Sequence, residues 1–209
     1  MMKQSENIND CISFQPIQQC LFLQENSLIP WIQHGLGEVS IVPGGAGGSP
    51  YAFASTGRKD AYAGPTHMLD VECLTIGSKY TINAKFKLVD ALDGNKPFLC
   101  DEFAPYGTKN TCPYFTLALT IPGEDEPKYQ TFKNYDFSDW VPDNFNHFQA
   151  DIVIDEQIVS ASQAKMILHG PRPGVSILFD DASLELKKQG DCENLVPNGH
   201  FEVCCMYIL

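Results

Sequence analysis

The sequence predicts an all-β protein, a sandwich or jelly roll, because apolar and polar residues alternate in runs that turn residues separate. The clearest run spans residues 79–89, where Tyr80, Ile82, Ala84, Phe86 and Leu88 occupy every second position. A two-residue period is typical of a strand with one buried and one solvated face. Nowhere does an apolar stripe with helical spacing persist for about ten residues. We therefore expect about eight or more strands in two layers.

Shorter alternating runs support the same architecture. They cover residues 115–119, 148–154 and 164–168. The segments between the runs are rich in Gly, Pro, Asp and Asn, as in 43–50 (PGGAGGSP) and 170–174 (GPRPG). These residue types adopt the backbone angles that turns require. The strands are thus expected to be joined by tight turns.

Charge and hydrophobicity exclude several classes of protein. The 209 residues include 14 Lys and Arg against 26 Asp and Glu, which gives a formal net charge of -12. Binding to nucleic acid depends on cations that neutralise phosphates, so no nucleic-acid partner is expected. No apolar run approaches the roughly 18 to 20 residues of a membrane-spanning helix, so no membrane partner is expected either.

Three segments differ in character. Residues 1–30 form a weakly patterned leader, residues 31–188 carry the predicted strands, and residues 189–209 form a tail that opens with a Cys and a turn. Eight cysteines favour an oxidising, extracellular compartment, although residues 1–10 lack the basic and apolar parts of a signal peptide. Either the natural beginning lies upstream, or the protein is cytosolic with free thiols.

The cysteines restrict the possible disulfides without fixing them. Cys100 and Cys112 flank an eleven-residue loop that a disulfide can close, with a stabilisation of roughly 3 kcal/mol. Cys73 is either buried or paired with Cys192. Cys204 and Cys205 are adjacent and are expected to be free or intermolecular. Eight cysteines allow about 105 full pairings, and the sequence does not choose among them.

Motifs for catalysis are missing from the sequence. It contains no G-x-S-x-G, H-E-x-x-H, C-x-x-C or P-loop pattern, and its five His are scattered. Dispersed acids such as Asp101, Glu102, Asp136 and Asp139 leave open a pair formed only in three dimensions. We expect a protein that is not an enzyme.

Three sequence motifs resemble those of carbohydrate-binding modules of families 4, 9 and 22. Residues 56–70 read TGRKDAYAGPTHMLD, CLTIGSKYTINAKFKL follows, and residues 169–186 read HGPRPGVSILFDDASLEL. In those families an Arg and an aromatic residue precede Gly-Pro, Gly-x-x-Tyr introduces an alternating strand, and a final strand carries Asp-Asp-x-Ser-Leu. The tail motif NLVPNGHFE resembles their first strand. Together the motifs cover about 130 residues in the expected order.

The resemblance implies a galactose-binding-like jelly roll with a glycan cleft on one face and a structural Ca²⁺ ion away from it. By resemblance, Arg58 hydrogen-bonds sugar hydroxyls and Tyr62 stacks on a sugar ring, where family 22 has a larger Trp. His169 lies near the position of an acidic ligand-binding residue. Tyr129 is the candidate for a second aromatic wall.

Structural roles compete with these assignments. Arg58 can form a surface ion pair with Asp60, and Tyr62 can cover the end of the core. For Trp31 and Trp140 a buried anchor is the favoured role.

The calcium site is also inferred from the resemblance. Asp180 and Asp181 follow each other on a strand and point to opposite faces, so only one can bind the ion, and the resemblance favours Asp181. The expected Glu partner is at best degenerate at Glu25, whereas Glu202 in the tail matches well. Either the tail begins a second, truncated module, which we favour, or it folds back and offers Glu202 to the ion. The alternative for the Asp pair is a solvated strand end.

We therefore expect a non-catalytic module of an extracellular or cell-wall protein that binds a polysaccharide of the xylan or β-glucan class. A tethered catalytic or repeat domain is the expected partner. The alternatives are a structural or adhesive repeat without a working cleft and, less favoured, a glycoside hydrolase. Exposure of Tyr62 and Arg58 in one concavity supports binding, and burial or dispersal supports a structural role.

Overall fold

The computed structural model describes residues 31–101, 103–105, 108–132 and 140–187, which form a sandwich of two antiparallel sheets. This confirms the predicted all-β fold. One short helix, α1 (Glu156–Ser160), accompanies the strands. The strands are β1 (Ile32–His34), β2 (Glu38–Pro43), β3 (Tyr51–Thr56), β4 (Gly64–Leu69), β5 (Lys79–Asp90), β6 (Lys96–Pro97), β7 (Tyr114–Thr120), β8 (Lys128–Phe132), β9 (Asn146–Val153), β10 (Gln163–His169) and β11 (Val175–Leu186).

The strand order interleaves distant parts of the chain. One sheet has five strands in the order β1-β4-β10-β7-β8. The other has six, with the path β2-β3-β11-β5-β6 and β9 paired with β5. Strand β10 therefore lies between β4 and β7, which precede it by tens of residues in the sequence. Side chains from three separate regions of the chain meet on the five-stranded sheet.

The core lies between the sheets and consists of every second residue of the long strands. In β5 the side chains of Tyr80, Ile82, Ala84, Phe86 and Leu88 are buried, which confirms the alternation predicted for residues 79–89. The rings of Phe86, Phe115 and Phe148 pack against one another with centroids 5.3–5.8 Å apart. Such aromatic pairs stabilise beyond the area that they bury.

Both Trp residues support the core. Trp31 is buried and lies edge-on to Phe179, with ring centroids 5.0 Å apart. Trp140 is partly buried against the core, and its Nε1 donates to the carbonyl of Phe98 at 3.3 Å. Neither ring serves as an exposed platform, in agreement with the anchor role favoured from the sequence.

One disulfide joins Cys100 and Cys112, as the spacing of these residues allowed. The proposed partner of Cys73, Cys192, lies outside the described residues, as do Cys204 and Cys205. The leader 1–30 and the tail 189–209 also lie outside them, so the choice between a second module and a returning strand stays open. Within the described segments, no helix is long and apolar enough to cross a membrane.

Candidate functional site

A groove crosses the outer face of the five-stranded sheet. It encloses a cavity of about 380 Å³. Four of the five strands and the loop before β4 contribute to it. The lining side chains are His34, Tyr62, Tyr114, Thr116, Tyr129, Thr131, Ile167 and His169.

Strand alternation explains why these side chains point outward. Phe115, Leu117 and Leu119 of β7 belong to the core, so Tyr114 and Thr116 face the opposite side. The sheet register places Ile167, Thr116 and Thr131 side by side on β10, β7 and β8. One aliphatic side chain and two threonine hydroxyls thus form a row on the floor of the groove.

Tyr62 forms one wall of the groove. Its side chain is 65% exposed, and its ring centroid lies 5.9 Å from that of His169. The loop that carries it is fixed by Asp60, whose Oδ1 accepts hydrogen bonds from the backbone N–H groups of Tyr62 at 2.8 Å and Ala63 at 2.6 Å. An Asp that bonds to the backbone two residues on stabilises such a turn. The exposed ring is therefore held by a rigid loop.

The next strand begins at a residue that only glycine fits. A Cβ atom on Gly64 would lie 1.9 Å from the carbonyl oxygen of Leu168 on β10. This distance is far below a van der Waals contact, so the bare glycine allows β4 and β10 to approach. The close approach brings the Tyr62 loop against the end of β10, where His169 lies.

Arg58 lies inside the protein rather than in the groove. Its side chain is 2% exposed. The guanidinium donates to the carbonyls of Ala63 at 2.6 Å, Val175 at 2.9 Å, Pro171 at 2.8 Å and Ala61 at 3.3 Å. The expectation that Arg58 hydrogen-bonds a sugar is corrected here, because burial removes the guanidinium from solvent and backbone carbonyls occupy it. A surface ion pair with Asp60 is excluded by the same burial.

The buried guanidinium instead joins two loops. Ala61 and Ala63 flank Tyr62, whereas Pro171 and Val175 follow β10. Burial lowers the pKa of Arg58 from 12.5 to about 10, and nearby Asp60 opposes this shift. Arg58 therefore remains charged at neutral pH. It is a positioning residue for the Tyr62 wall.

His169 is a nearly buried part of the groove floor. Its Nε2 lies 2.9 Å from Thr116 Oγ1, which lies 3.1 Å from Thr131 Oγ1. Its ring also packs on Tyr114 with centroids 4.4 Å apart. Burial lowers the pKa of His169 from 6.5 to about 4. At neutral pH the imidazole is uncharged, so the groove has a neutral hydrogen-bonding group near the position where the resembled families carry an acid.

Tyr129 lies on the edge strand β8 and forms the wall of the groove that is farther from β4. It is 66% exposed. Its cross-strand neighbour is Ala118, a small residue that leaves its ring uncovered on that side. The groove thus brings together three of the four residues singled out from the sequence, namely Tyr62, Tyr129 and His169.

Other lining residues were missed by the sequence analysis. Tyr114 and Thr116 occupy the outward positions of a strand whose inward positions were recognised from residues 115–119. The same alternation thus contained the signal for both. Ile167 likewise occupies an outward position of the run recognised at residues 164–168. Thr131 and His34 carry no local signal, because their place in the groove depends on the strand order.

Asp181, a predicted calcium ligand, and its neighbour Asp180 bond to other groups of the protein. Asp181 sits at a β-bulge with φ +51°, and its Oδ2 pairs with Lys85 Nζ at 2.7 Å. Asp180 Oδ2 accepts from the backbone N–H of Ala46 at 2.8 Å. Glu202 lies outside the described residues. Among the residues that are described, no group of three or more Asp, Glu, His or Cys side chains is placed to hold a metal. They do not supply the six to eight oxygen ligands that calcium takes, so the ion stays a prediction from the resemblance.

No carboxylate of the described residues lines the groove. Asp101 lies in the disulfide-bonded loop, where its Oδ1 accepts from the backbone N–H of Phe103, and Glu102, Asp136 and Asp139 lie outside the described residues. A glycoside hydrolase needs two carboxyl groups on opposite sides of the scissile bond. Among the residues that the structure describes, the groove lining contains no such pair.

Comparisons with known proteins agree on the architecture. No protein-family profile matches the sequence, and no curated protein matches it. Among solved structures, the chain resembles the CBM22-1 xylan-binding domain of Paenibacillus barcinonensis Xyn10C, with a TM-score of 0.53 and 16% identity over 78% of this chain and 88% of that one.

A C-terminal family 22 carbohydrate-binding module of Clostridium thermocellum Xyn10B is similar at a TM-score of 0.52, with 15% identity over 78% of this chain and 88% of that one. The fold is that of the family 22 carbohydrate-binding modules. A third structure, of the CBM22-1 and GH10 modules of C. thermocellum xylanase 10B with xylohexaose, matches at a TM-score of 0.53 and 12% identity over 77% of this chain and 26% of that one. These likenesses confirm the jelly roll expected from the sequence.

Proposed function

We propose that the protein is a non-catalytic carbohydrate-binding module that holds a polysaccharide of the xylan or β-glucan class across the groove. The proposal depends on the exposure of Tyr62 and Tyr129 in one groove. Hydrogen-bonding side chains from neighbouring strands form the floor of this groove. Aromatic faces accept the C–H patches of sugar rings, and a few placed polar groups orient the ligand. Thr116 and Thr131 provide those groups, and neutral His169 holds Thr116 in place through its Nε2.

The mechanism is recognition without reaction. By the criterion taken from the sequence, burial of Arg58 counts toward the structural alternative, whereas exposure of Tyr62 in the groove counts toward binding. In the proposed mode the sugar contacts come from the two tyrosines and the floor, and Arg58 acts through the loop that it holds. Affinity is expected to be modest, because a flexible glycan loses conformational freedom on docking. The xylan-binding modules with the same fold, one of them solved with a GH10 module, support an extracellular role in which the module holds a tethered enzyme against its polymer.

Affinity electrophoresis tests the proposal. The protein is run in gels that contain xylan, β-glucan or laminarin. We expect retardation in at least one polymer and its loss in Tyr62→Ala, because the exposed ring supplies stacking and little stability. Tyr51→Ala is the matched control, since Tyr51 is similarly exposed at 58% but lies on β3 of the other sheet. Unchanged migration in every polymer contradicts binding and favours the structural or adhesive repeat.

We also propose that the full chain binds a calcium ion. Asp181 and Glu202 are the two ligands that the resemblance implies. A melting curve with and without chelator tests it. An ion present at about 100 times its dissociation constant stabilises the folded state by about 2.7 kcal/mol. Identical melting temperatures with and without chelator would contradict the calcium site.

A further inference from the structure

The electrostatics of the groove differ from those of the whole chain. The chain has a formal net charge of -12, yet none of the eight lining residues is Asp or Glu. Asp60, at the base of the Tyr62 loop, has its Oδ1 engaged by two backbone N–H groups, and its charge is close to that of buried Arg58. Asp70, beyond the far end of β4, caps a 3-10 turn through the N–H of Glu72. The lining itself therefore carries no negative charge.

A lysine lies next to this lining on the same face. Ile167 and His169 of β10 point into the groove, and Lys165 lies two residues before Ile167, about 7 Å along the strand. Alternation places its side chain on the groove side of the sheet, where it is half-buried. Within the segments that the structure describes, Lys165 has no ion pair with an acidic side chain. Its charge is therefore available to a ligand.

The sheet register places Lys165 in line with an aromatic wall. The cross-strand row on the outer face reads Met68, Lys165, Ala118 and Tyr129. Two strand spacings separate Lys165 from Tyr129, which corresponds to about 10 Å. The residue between them is alanine, so no bulky side chain blocks the path. A sugar ring on Tyr129 would place its substituents over Ala118 and toward the ammonium group.

We propose that the groove prefers a glycan that carries a carboxylate, as in a uronic acid branch, and that Lys165 binds this carboxylate beside Tyr129. The inference rests on the proposed function and adds the charge of the substrate. Long-range repulsion from the acidic chain opposes an anionic polymer, but it is screened over about 10 Å at moderate salt. A contact ion pair acts at shorter range. Lys165 therefore determines the preference of the groove for an acidic ligand.

Calorimetric titration of the full chain with three ligands tests this inference. The ligands are linear xylohexaose, the same backbone with one glucuronic acid branch, and that branched ligand with its carboxyl group reduced to an alcohol. At about 0.1 M salt, where screening acts over about 10 Å, we expect the acidic ligand to bind two- to fivefold more tightly than its reduced form, which is roughly the effect of one solvent-exposed ion pair. Raising the salt to about 1 M, where screening acts over about 3 Å, should remove the difference.

Two variants test whether Lys165 causes the preference for the acidic ligand. Lys165→Met keeps an unbranched side chain and should abolish the preference, measured as the ratio of the affinities for the acidic and the reduced ligand. Lys96→Met makes the same change in net charge on β6 of the other sheet and should retain the preference.

The outcomes separate the two proposals. Equal affinity of the wild-type protein for the acidic and reduced ligands, tighter binding of the reduced ligand, or a preference that survives in Lys165→Met overturns this inference alone. Failure of all three ligands and of the polymer gels to bind overturns the proposed function as well.

Discussion

The two outer faces of the sandwich carry different chemistry on the same backbone geometry. On the six-stranded sheet, polar side chains satisfy one another across strands: Asp151 pairs with Lys79 and Lys187, and Asn83 accepts from Gln149. On the five-stranded sheet, the outward positions hold Tyr129 and its neighbours around an open groove. The first face uses its polar groups internally, whereas the second leaves aromatic rings and a lysine available. The second face is therefore the one suited to a ligand.

The largest expected effect comes from Arg58→Met. Three buried carbonyls and one partly buried carbonyl lose their donor. We therefore expect the free energy of unfolding to fall by about 3 to 5 kcal/mol, the range for one removed partner of a buried charged group. Denaturation in urea measures it. Below the new melting temperature, polysaccharide binding should also be lost, because the Tyr62 loop is no longer tied to the loop after β10. Full binding by the folded variant would contradict a positioning role.

The control for this substitution is Arg172→Met. Arg172 pairs with Asp90 and is more exposed than Arg58. It lies in the same loop after β10 but does not hold the Tyr62 loop. We expect a smaller loss of stability and intact binding.

A second effect links the groove floor to pH. The pKa of His169 is lowered from 6.5 to about 4 by burial. Between these pH values the unfolded chain binds a proton that the folded chain does not, so stability falls as the pH drops from 6.5 to 4. The total is about 3 kcal/mol, and below pH 4 this group causes no further loss. Urea denaturation at several pH values measures the slope.

His169→Gln isolates this contribution. Its amide can still bond to Thr116 but does not titrate, so the curve between pH 4 and 6.5 should flatten. A slope equal to that of the wild-type protein would show that other groups cause the pH dependence.

The smallest effect is expected on the opposite face. Hydrogen bonds from Lys187 and Lys79 hold the pKa of Asp151 below its usual range. Its stabilisation is therefore present at neutral pH and is lost in acid, below the ordinary pKa of a carboxyl group. Because the pair with Lys79 is about half exposed, Asp151→Asn should cost at most about 1 kcal/mol. Polysaccharide binding should not change, and a change would contradict the assignment of the groove face.

The sequence predicted the strands better than it predicted the roles of single residues. Alternation in residues 79–89 defined β5, because a two-residue period specifies which side chains are buried. The burial of Arg58 was not predictable in the same way. Two of its acceptors, Pro171 and Val175, lie 113 and 117 residues away in the sequence. Because every residue has a backbone carbonyl, no particular residue type in the sequence indicates that these acceptors bind Arg58.

The Asp pair illustrates a second limit. Strict alternation would place Asp180 and Asp181 on opposite faces, but the register shifts between Asp180 and Ser183. A bulge of this kind interrupts the pattern on which the inference depends. Tyr62 and His169 lie within motifs that can be read from short segments, whereas Tyr129 lies outside those motifs. The meeting of the three residues in one groove depends on the order of the strands.

The hydrogen bonds made by Arg58 also affect which substitutions the two loops tolerate during evolution. Every acceptor of the guanidinium is a main-chain oxygen, which all twenty amino acids possess. Substitutions in the two loops can therefore accumulate without removing an acceptor, as long as the course of the backbone is kept. Divergence can alter the surface of these loops while the wall that they build stays in place.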